Sequence, residues 1–169
     1  LPIGKTDNTV SLWLNVPKPG TEGLGLKERV GIILGNFGDK PNSNWELHAT
    51  GEMRWHWDRG RPDLRGKIDL RDGSWHHLAW VRERQSDTLR IYVDGKLGNK
   101  CSGSGADITF TTKHTIGADS RGKGSPRFHG KMDELRIARA ARPADWVRTC
   151  FANQSSPGTF WSCTPGSAP

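Results

Sequence analysis

Short runs in which apolar and polar residues alternate dominate this sequence and restrict the folds it can adopt. Such alternation places the apolar side chains on one face of a β-strand. Residues 9–16 (TVSLWLNV) show it clearly, with three aliphatic side chains on one face and Ser11, Trp13 and Asn15 on the other. The same reasoning predicts further strands at residues 30–34, 45–48, 53–57, 75–82, 89–94, 108–110, 114–117 and 130–137.

Turn-forming residues separate these runs, at intervals of roughly 8–15 residues. The chain holds 21 Gly and 10 Pro among 169 residues, and the one helix we predict, at residues 142–148, is one or two turns long at most. Many short strands with turns between them and little helix are typical of two packed antiparallel sheets. We therefore predict an all-β, two-sheet antiparallel sandwich. The length fits one domain, because domains commonly contain about 100–200 residues.

The net charge of +7 favours acidic partners such as nucleic acid, anionic lipid surfaces, or sulfated and uronic polysaccharides. Solubility is the alternative explanation. The basic residues are scattered without a run of five like charges, so we predict no nucleic-acid partner. No apolar run approaches the ~18 residues of a membrane span, so we also predict no membrane insertion.

Three cysteines, Cys101, Cys150 and Cys163, lack the spacing of zinc ligands. An extracellular protein with three cysteines is expected to form one disulfide and keep one thiol. We prefer the pair Cys150–Cys163, because it closes a short loop in the tail. The N-terminus lacks the basic start and apolar run of a signal peptide, so we expect a processed piece of a longer secreted protein.

Four segments resemble the laminin-G-like jelly-roll family of the concanavalin A-like lectin and glucanase superfamily. They are residues 73–82 (GSWHHLAWVR), 89–97 (LRIYVDGKL), 114–119 (HTIGAD) and 130–137 (GKMDELRI). They follow the family's order, and the match spans roughly residues 1 to 150. The segment from residue 144 to 157 is similar to the version of this module in large bacterial and archaeal surface proteins.

The resemblance implies a concanavalin A-like jelly roll at residues 1–150, located outside the cell or at its surface. It also implies binding of a glycan or a surface protein, often with a calcium ion at the rim of the sandwich. The Ser/Pro/Gly-rich residues 151–169 are expected to wrap this domain or to link it to a neighbour.

The strands of the resembling segments also have a physical interpretation. Alternation predicts that Trp75, His77, Ala79 and Val81 share one face of their strand. It predicts in the same way that Asp133, Leu135 and Ile137 share a face. The pair Asp94-Gly95 is typical of a tight turn with positive φ.

Trp55 and Trp57 are the first candidate binding residues, because two indoles two positions apart on an open sheet form a platform for sugar rings. Arg54 and His56 lie on the opposite side of that strand and are candidates there. We weigh the platform role against a core position for both indoles, which is favoured because large aromatic side chains are most often buried. Trp80, like Trp13, falls opposite the aliphatic face of its strand and is a further candidate for an exposed surface.

Asp119 and Asp133 are the candidate calcium ligands, because Ca²⁺ takes about six to eight oxygen ligands from carboxylates, carbonyls and water. Arg121 and Lys123 place positive charge in the same loop and disfavour an ion there. A basic loop at residues 59–71 is another candidate, for sulfate or carboxylate groups. Interleaved aspartates favour a solvated, salt-bridged loop in that region.

We expect a non-catalytic module that binds carbohydrate, possibly an anionic polysaccharide. The alternative is a structural or adhesive subunit that self-assembles or contacts proteins at a cell surface. A glycoside hydrolase is the third hypothesis, and it is disfavoured because paired catalytic carboxylates along one strand are missing from the sequence. Glu46 and Glu52 lie at the two ends of a predicted hairpin, where their approach would be a coincidence.

Overall fold

Ten strands and two helices make up the described part of the chain, which in the computed structural model comprises residues 5–20, 31–35, 43–57, 63–103, 114–118 and 127–160. The first sheet has the order β10-β1-β6-β7-β8. These strands are β1 (Asn8–Asn15), β6 (Trp75–Glu83), β7 (Thr88–Val93), β8 (Lys96–Ser102) and β10 (Lys131–Ala138).

The second sheet has the order β5-β4-β3-β2-β9. Its strands are β2 (Gly31–Gly35), β3 (Ser43–Leu47), β4 (Met53–Trp57), β5 (Leu64–Arg65) and β9 (Thr115–Ile116). All strand pairs in both sheets are antiparallel. The prediction of an all-β, two-sheet antiparallel sandwich is confirmed. The strand predicted at residues 108–110 lies outside the described residues.

The core lies between the two sheets and is formed by alternate residues of their strands. Val10, Leu12 and Leu14 of β1 point into it, as the alternation predicts. The indoles of Trp45 and Trp55 lie in its centre, with ring centroids 5.3 Å apart. Because burying one large apolar side chain stabilises a fold by about 1.5–3 kcal/mol, this interior supplies the main driving force for folding.

Strand β6 is buried on both faces. Trp80 points into the core, while Ala79 and Val81 point outward and form a second apolar cluster with Val147 of helix α1 (Ala144–Ser155). The helix therefore covers the outer face of the first sheet. None of the helices in the described ranges is long and apolar enough to cross a membrane.

Helix α1 is longer than we predicted. It contains 12 residues, about three turns, whereas the sequence led us to expect one or two. Contacts with the sheet explain the extra turn, because Phe151 packs on Trp13 at a centroid distance of 5.9 Å. The helix crosses the domain boundary that we predicted at residue 150, and a short helix α2 (Pro157–Phe160) follows it.

A β-bulge interrupts the pairing of β1 with β10. Ser11 pairs with Arg136 and Trp13 with Asp133, so two steps along β1 match three along β10. The extra residue in β10 coincides with Glu134, whose φ of 53° is in the left-handed region.

The bulge changes which residues of β10 face outward. Leu135 and Ile137 pack against the core together with Met132, while Asp133 is exposed. The prediction that Asp133 shares a face with Leu135 and Ile137 is therefore wrong, because strict alternation does not survive an inserted residue.

The turn between β7 and β8 has the positive φ values that we predicted. Asp94 has φ of 49° and Gly95 has φ of 74°, as a two-residue hairpin turn requires. Helix α1 lies directly over this turn. A Cβ atom added to Gly95 would lie 3.2 Å from Cα of Arg148 and 3.3 Å from the ring of Phe151.

Gly95→Ala is expected to lower the free energy of unfolding by about 1–3 kcal/mol, since it combines an unfavourable φ with a close approach to α1. Gly73→Ala is the matched control. Gly73 also has a positive φ, 82°, but an added Cβ there would have no atom within 4 Å. Urea unfolding measures both variants. Equal losses of unfolding free energy in the two variants would show that the close approach of α1 to Gly95 does not contribute.

Candidate functional site

A groove of about 600 Å³ lies on the outer face of the first sheet, beside the C-terminal end of α1. We call it the α1 groove. Its sheet side is lined by Trp13, Trp75, Asp133, Glu134 and Arg136. Its helix side is lined by Asn153, Gln154, Ser155 and Pro157.

Trp75 is the most exposed indole among the described side chains of this groove, with 45% of its surface accessible. It is the first residue of β6, and it pairs with Asn15 of β1. Because it shares the outer face with His77, its indole lies on the groove side of the sheet. A large aromatic surface left open next to polar groups is a feature of binding sites.

Trp13 is held rigidly in the groove wall. Its Nε1–H donates a hydrogen bond to Oε1 of Gln154 on α1. Its ring meets His77 edge-on, with centroids 5.5 Å apart, and packs on Phe151. Trp13 therefore ties the helix to the sheet at the point where the groove opens.

Three outward residues of β10 give the groove its charge. Arg136 donates a hydrogen bond to a carboxylate oxygen of Glu134, so its positive charge is largely compensated. Oδ1 of Asp133 accepts a hydrogen bond from the backbone N–H of Glu134 at 2.8 Å. Two carboxylates and one guanidinium line the groove, which makes its lining net negative although the chain as a whole is positive.

His77 lies beneath the groove and is almost completely buried. Burial lowers the pKa of His77 from 6.5 to about 4; the nearby Asp94 opposes the shift and Arg136 adds to it. The imidazole is therefore neutral at physiological pH. It supports Trp13 as an aromatic surface and carries no charge into the groove.

The free energy of unfolding should therefore contain a contribution from His77 that is present above pH 6.5 and is lost as the pH falls toward 4, because the unfolded chain binds the proton more tightly. Between pH 6.5 and 4.5 this contribution is about 2 kcal/mol. Denaturant unfolding of the native protein and of His77→Phe across this range measures it. A constant difference between the two proteins would contradict the neutral, buried state of His77.

The structure corrects two predicted binding residues. Trp55 and Trp80 are both 0% exposed and belong to the core between the sheets, so neither offers a face to a ligand. The sequence pattern points Trp80 toward an exposed surface because the opposite face of β6 carries Ala79 and Val81. That face is covered by α1, so both faces of the strand are apolar.

Trp57 pairs with Ser43 through its backbone, and its side chain lies outside the described residues. Its predicted role as a stacking residue stays a prediction.

Arg54 and His56 lie on the outer face of the second sheet, within a network of charged residues. Arg54 donates to Glu46 at 2.7 Å and to both carboxylate oxygens of Asp63, at 2.5 and 2.8 Å. It also lies 2.9 Å from Nδ1 of His56. Since these contacts engage all three nitrogens of the guanidinium, the network is internally satisfied. Arg54 and His56 do not line the α1 groove.

The ionisation of this network follows from its contacts. Burial raises the pKa of Glu46, and the charge and hydrogen bond of Arg54 oppose the shift. Burial also acts to raise the pKa of Asp63, but hydrogen bonds from Arg54 and Arg65 lower it overall. The register places Arg54 opposite Glu46, whereas Glu52 lies beside His48 at 3.7 Å. The hairpin therefore does not set Glu46 and Glu52 opposite each other as a catalytic pair.

The described part of the basic loop is salt-bridged. Arg71 contacts Asp69 at 2.7 Å and donates to the carbonyl oxygens of Ala49 and Thr50. Arg65 contacts Asp63 at 3.0 Å. These pairs fit the solvated-loop interpretation, while Arg59 and Arg61 lie outside the described residues.

The two predicted calcium ligands lie in different parts of the chain, and the structure describes only one of them. Asp133 lines the α1 groove, whereas Asp119 lies outside the described residues. Within the described ranges, no group of three or more His, Cys, Asp or Glu side chains is arranged to hold a metal ion. Calcium at Asp119 and Asp133 stays a prediction.

The disulfide prediction has the same status. Cys101 and Cys150 are partly buried and are not bonded to each other. Burial raises the pKa of both thiols. Cys163 lies outside the described residues, so the pairing Cys150–Cys163 stays a prediction.

The two-sheet sandwich and its strand order define a protein of the laminin-G-like, jelly-roll class. The chain belongs to the Laminin_G_3 family of the concanavalin A-like lectin/glucanases superfamily, whose model matches residues 1–148. The resemblance seen in the sequence is thereby confirmed. No curated protein sequence matches the chain.

Several solved structures share the fold. A candidate carbohydrate-binding protein from Bacteroides ovatus ATCC 8483 superposes with a TM-score of 0.68 at 19% identity, over 87% of this chain and 42% of that one. The binding domain of Paraclostridial Mosquitocidal Protein 1 gives 0.65 at 16%, over 88% and 37%. This chain thus spans less than half of either protein. The CBM40 module of the Ruminococcus gnavus IT-sialidase gives 0.69 at 12%, over 88% and 84%.

Sequence reasoning missed the α1 groove. The alternation groups Trp75 with Ala79 and Val81, and it therefore points to a packed face. The position of Trp75 at the start of the strand, directly after the turn at Gly73, is the signal that could have marked it as exposed. Asn153 and Gln154 fall in the Ser/Pro/Gly-rich segment that we expected to wrap the domain or to link it to a neighbour.

Proposed function

We propose that this chain is a non-catalytic, extracellular module that binds a glycan in the α1 groove. The observation that carries the proposal is the half-exposed indole of Trp75 next to the fixed indole of Trp13, in a groove whose other lining residues, apart from Pro157, are polar. Binding sites for small molecules combine apolar surfaces with a few convergent polar groups in this way.

The groove offers the chemistry that a sugar requires. The C–H face of a pyranose ring packs on an exposed indole such as that of Trp75. Sugar hydroxyls both donate and accept hydrogen bonds. The carboxylate of Asp133 accepts them, and the side-chain amides of Asn153 and Gln154 can do both.

The charge of the lining favours a neutral glycan. The net charge of +7 led us to consider an anionic polysaccharide, but the groove carries two carboxylates and a guanidinium that is already paired. A uronate or sulfate in the groove would meet Asp133 and Glu134 and be repelled. We therefore expect neutral oligosaccharides to bind in the groove more tightly than acidic ones.

The solved relatives support the class of ligand. The CBM40 module of Ruminococcus gnavus has been solved with α2,3- and α2,6-sialyllactose bound. Sialyllactose carries a carboxylate, so the negative groove of this chain favours a different glycan. The superfamily includes glucanases as well as lectins, and the internally paired Glu46 and Arg54 support the non-catalytic choice.

Binding to a glycan array that holds neutral, sialylated, sulfated and uronic oligosaccharides tests the proposal, with calcium and with EDTA. We expect neutral glycans to bind, and loss of binding in EDTA would identify a calcium-dependent lectin. Preferential binding of acidic glycans would contradict the assignment of a neutral glycan as the ligand. If no glycan on the array binds, this result would contradict the glycan proposal and favour self-assembly or a protein partner.

Trp75→Ala should weaken binding of a neutral glycan by about tenfold or more, or roughly 1.4 kcal/mol, because it removes the stacking surface. Trp75→Phe should retain part of the affinity. Leu97→Ala, which alters a similarly exposed apolar side chain on β8, is the matched control and should bind like the native protein. Calorimetric titration measures all three. Unchanged affinity in Trp75→Ala would place the site elsewhere.

A further inference from the structure

His76 connects the loop that precedes Trp75 to the turn between β7 and β8. Its Nδ1 lies 2.8 Å from Oδ2 of Asp94, and its Nε2 lies 3.2 Å from Oδ1 of Asp72. One imidazole thus joins two carboxylates that belong to different segments of the chain.

The segment held by Asp72 leads directly into the groove. Oδ1 of Asp72 accepts a hydrogen bond from the backbone N–H of Ser74 at 2.7 Å. The N–H of Gly73 donates to the carbonyl of Val16 at 2.9 Å. Trp75 directly follows Ser74, so the position of its indole depends on how firmly residues 72–74 are held.

Asp72 and Asp94 are the charged groups that face His76 from the preceding loop and from the β7–β8 turn. Strand β1 places the apolar Leu14 opposite it. Helix α1 approaches the turn through Arg148, whose guanidinium is paired with Asp145 at 2.9 Å. The electrostatic environment of His76 is therefore dominated by two carboxylates.

The protonation state of His76 decides whether it can bond to both carboxylates. A protonated imidazole donates from both nitrogens, whereas a neutral one donates from one and turns a lone pair toward the other partner. Burial acts to lower the pKa of His76, but the hydrogen bonds and charges of Asp94 and Asp72 raise it above its ordinary value of 6.5. Both bonds are formed below that pKa, and one is lost as the pH rises through it.

The bond to Asp72 is the one that breaks. It is the longer of the two, and the Asp72 side chain is 48% exposed against 30% for Asp94. Asp94 is anchored further, because its Oδ1 accepts a hydrogen bond from the backbone N–H of His77 at 2.9 Å. Deprotonation therefore loosens the loop and leaves the turn in place.

We propose that His76 is a positioning residue that holds Trp75 in the α1 groove through Asp72, so that glycan affinity rises as the pH falls and His76 becomes protonated. This inference rests on the proposed function. One hydrogen bond is at stake, so we expect an affinity change of about three- to tenfold.

Two measurements across pH 5.5 to 9 test the inference. The first is the affinity of the intact protein for a neutral glycan identified on the array. The second, which needs no ligand, is hydrogen exchange at the Gly73 and Ser74 amides, corrected for the intrinsic dependence of exchange on pH. Affinity and amide protection should both decrease by about three- to tenfold as His76 loses its proton.

Three variants separate the role of His76 from a merely structural one. His76→Gln and Asp72→Ser should both remove the pH dependence. Asp72→Ser serves if the first variant folds poorly, since the shorter hydroxyl can still accept from the backbone N–H of Ser74 but does not reach His76. His48→Gln, on the second sheet, should keep the native profile.

The outcomes are distinct. Native affinity that does not change with pH, or a pH dependence that persists in both variants, would overturn the role of His76 while leaving glycan binding intact. If no glycan binds at any pH, the proposed function fails. Amide protection at Gly73 then decides the inference alone, because a pH-dependent step that disappears in Asp72→Ser supports it and a flat profile in the native protein overturns it.

Discussion

The packing of α1 against the outer face of β6 is the contact on which the candidate site depends. Val147 closes the apolar surface of Ala79 and Val81, and Phe151 extends the contact to Trp13. The β7–β8 turn can approach the helix this closely because Gly95 has no side chain. With the helix fixed there, its last turn forms one wall of the α1 groove, and without it Trp13 and Trp75 would lie on a flat sheet.

A second constraint, the bulge at Glu134, determines the chemistry of the groove. The inserted residue keeps Leu135 and Ile137 in the core and turns Asp133, Glu134 and Arg136 outward together. An uninterrupted strand would alternate these charged side chains between solvent and core. The groove therefore combines an aromatic surface, supplied by β1 and β6, with a polar edge supplied by β10, and this combination suits a hydroxyl-rich ligand.

Period-two alternation and turn chemistry were sufficient to predict the sandwich, because they report local backbone geometry. Strand β8 was missed, since it lies at the edge of its sheet and most of its residues are polar or glycine, without the alternation of a half-buried strand. The assignment of Trp80 failed because a strand buried on both faces has no polar side to identify. The outward position of Asp133 depends on the bulge in β10, and the groove beside Trp75 depends on the docking of α1 (Ala144–Ser155). The exposure of Trp75 could be read from its place after a turn, but the bulge and the docked helix are tertiary features that the strand pattern does not contain.

An NMR titration of the ¹⁵N-labelled protein with a neutral oligosaccharide tests glycan binding in the α1 groove most directly. Shift changes should concentrate on the indole signals of Trp13 and Trp75, on the amides of residues 133–136, and on those of residues 153–156. The same titration should leave the Arg54 network on the second sheet unaffected. Shift changes centred on Arg54 and His56, with the Trp75 indole signal unchanged, would contradict glycan binding in the α1 groove.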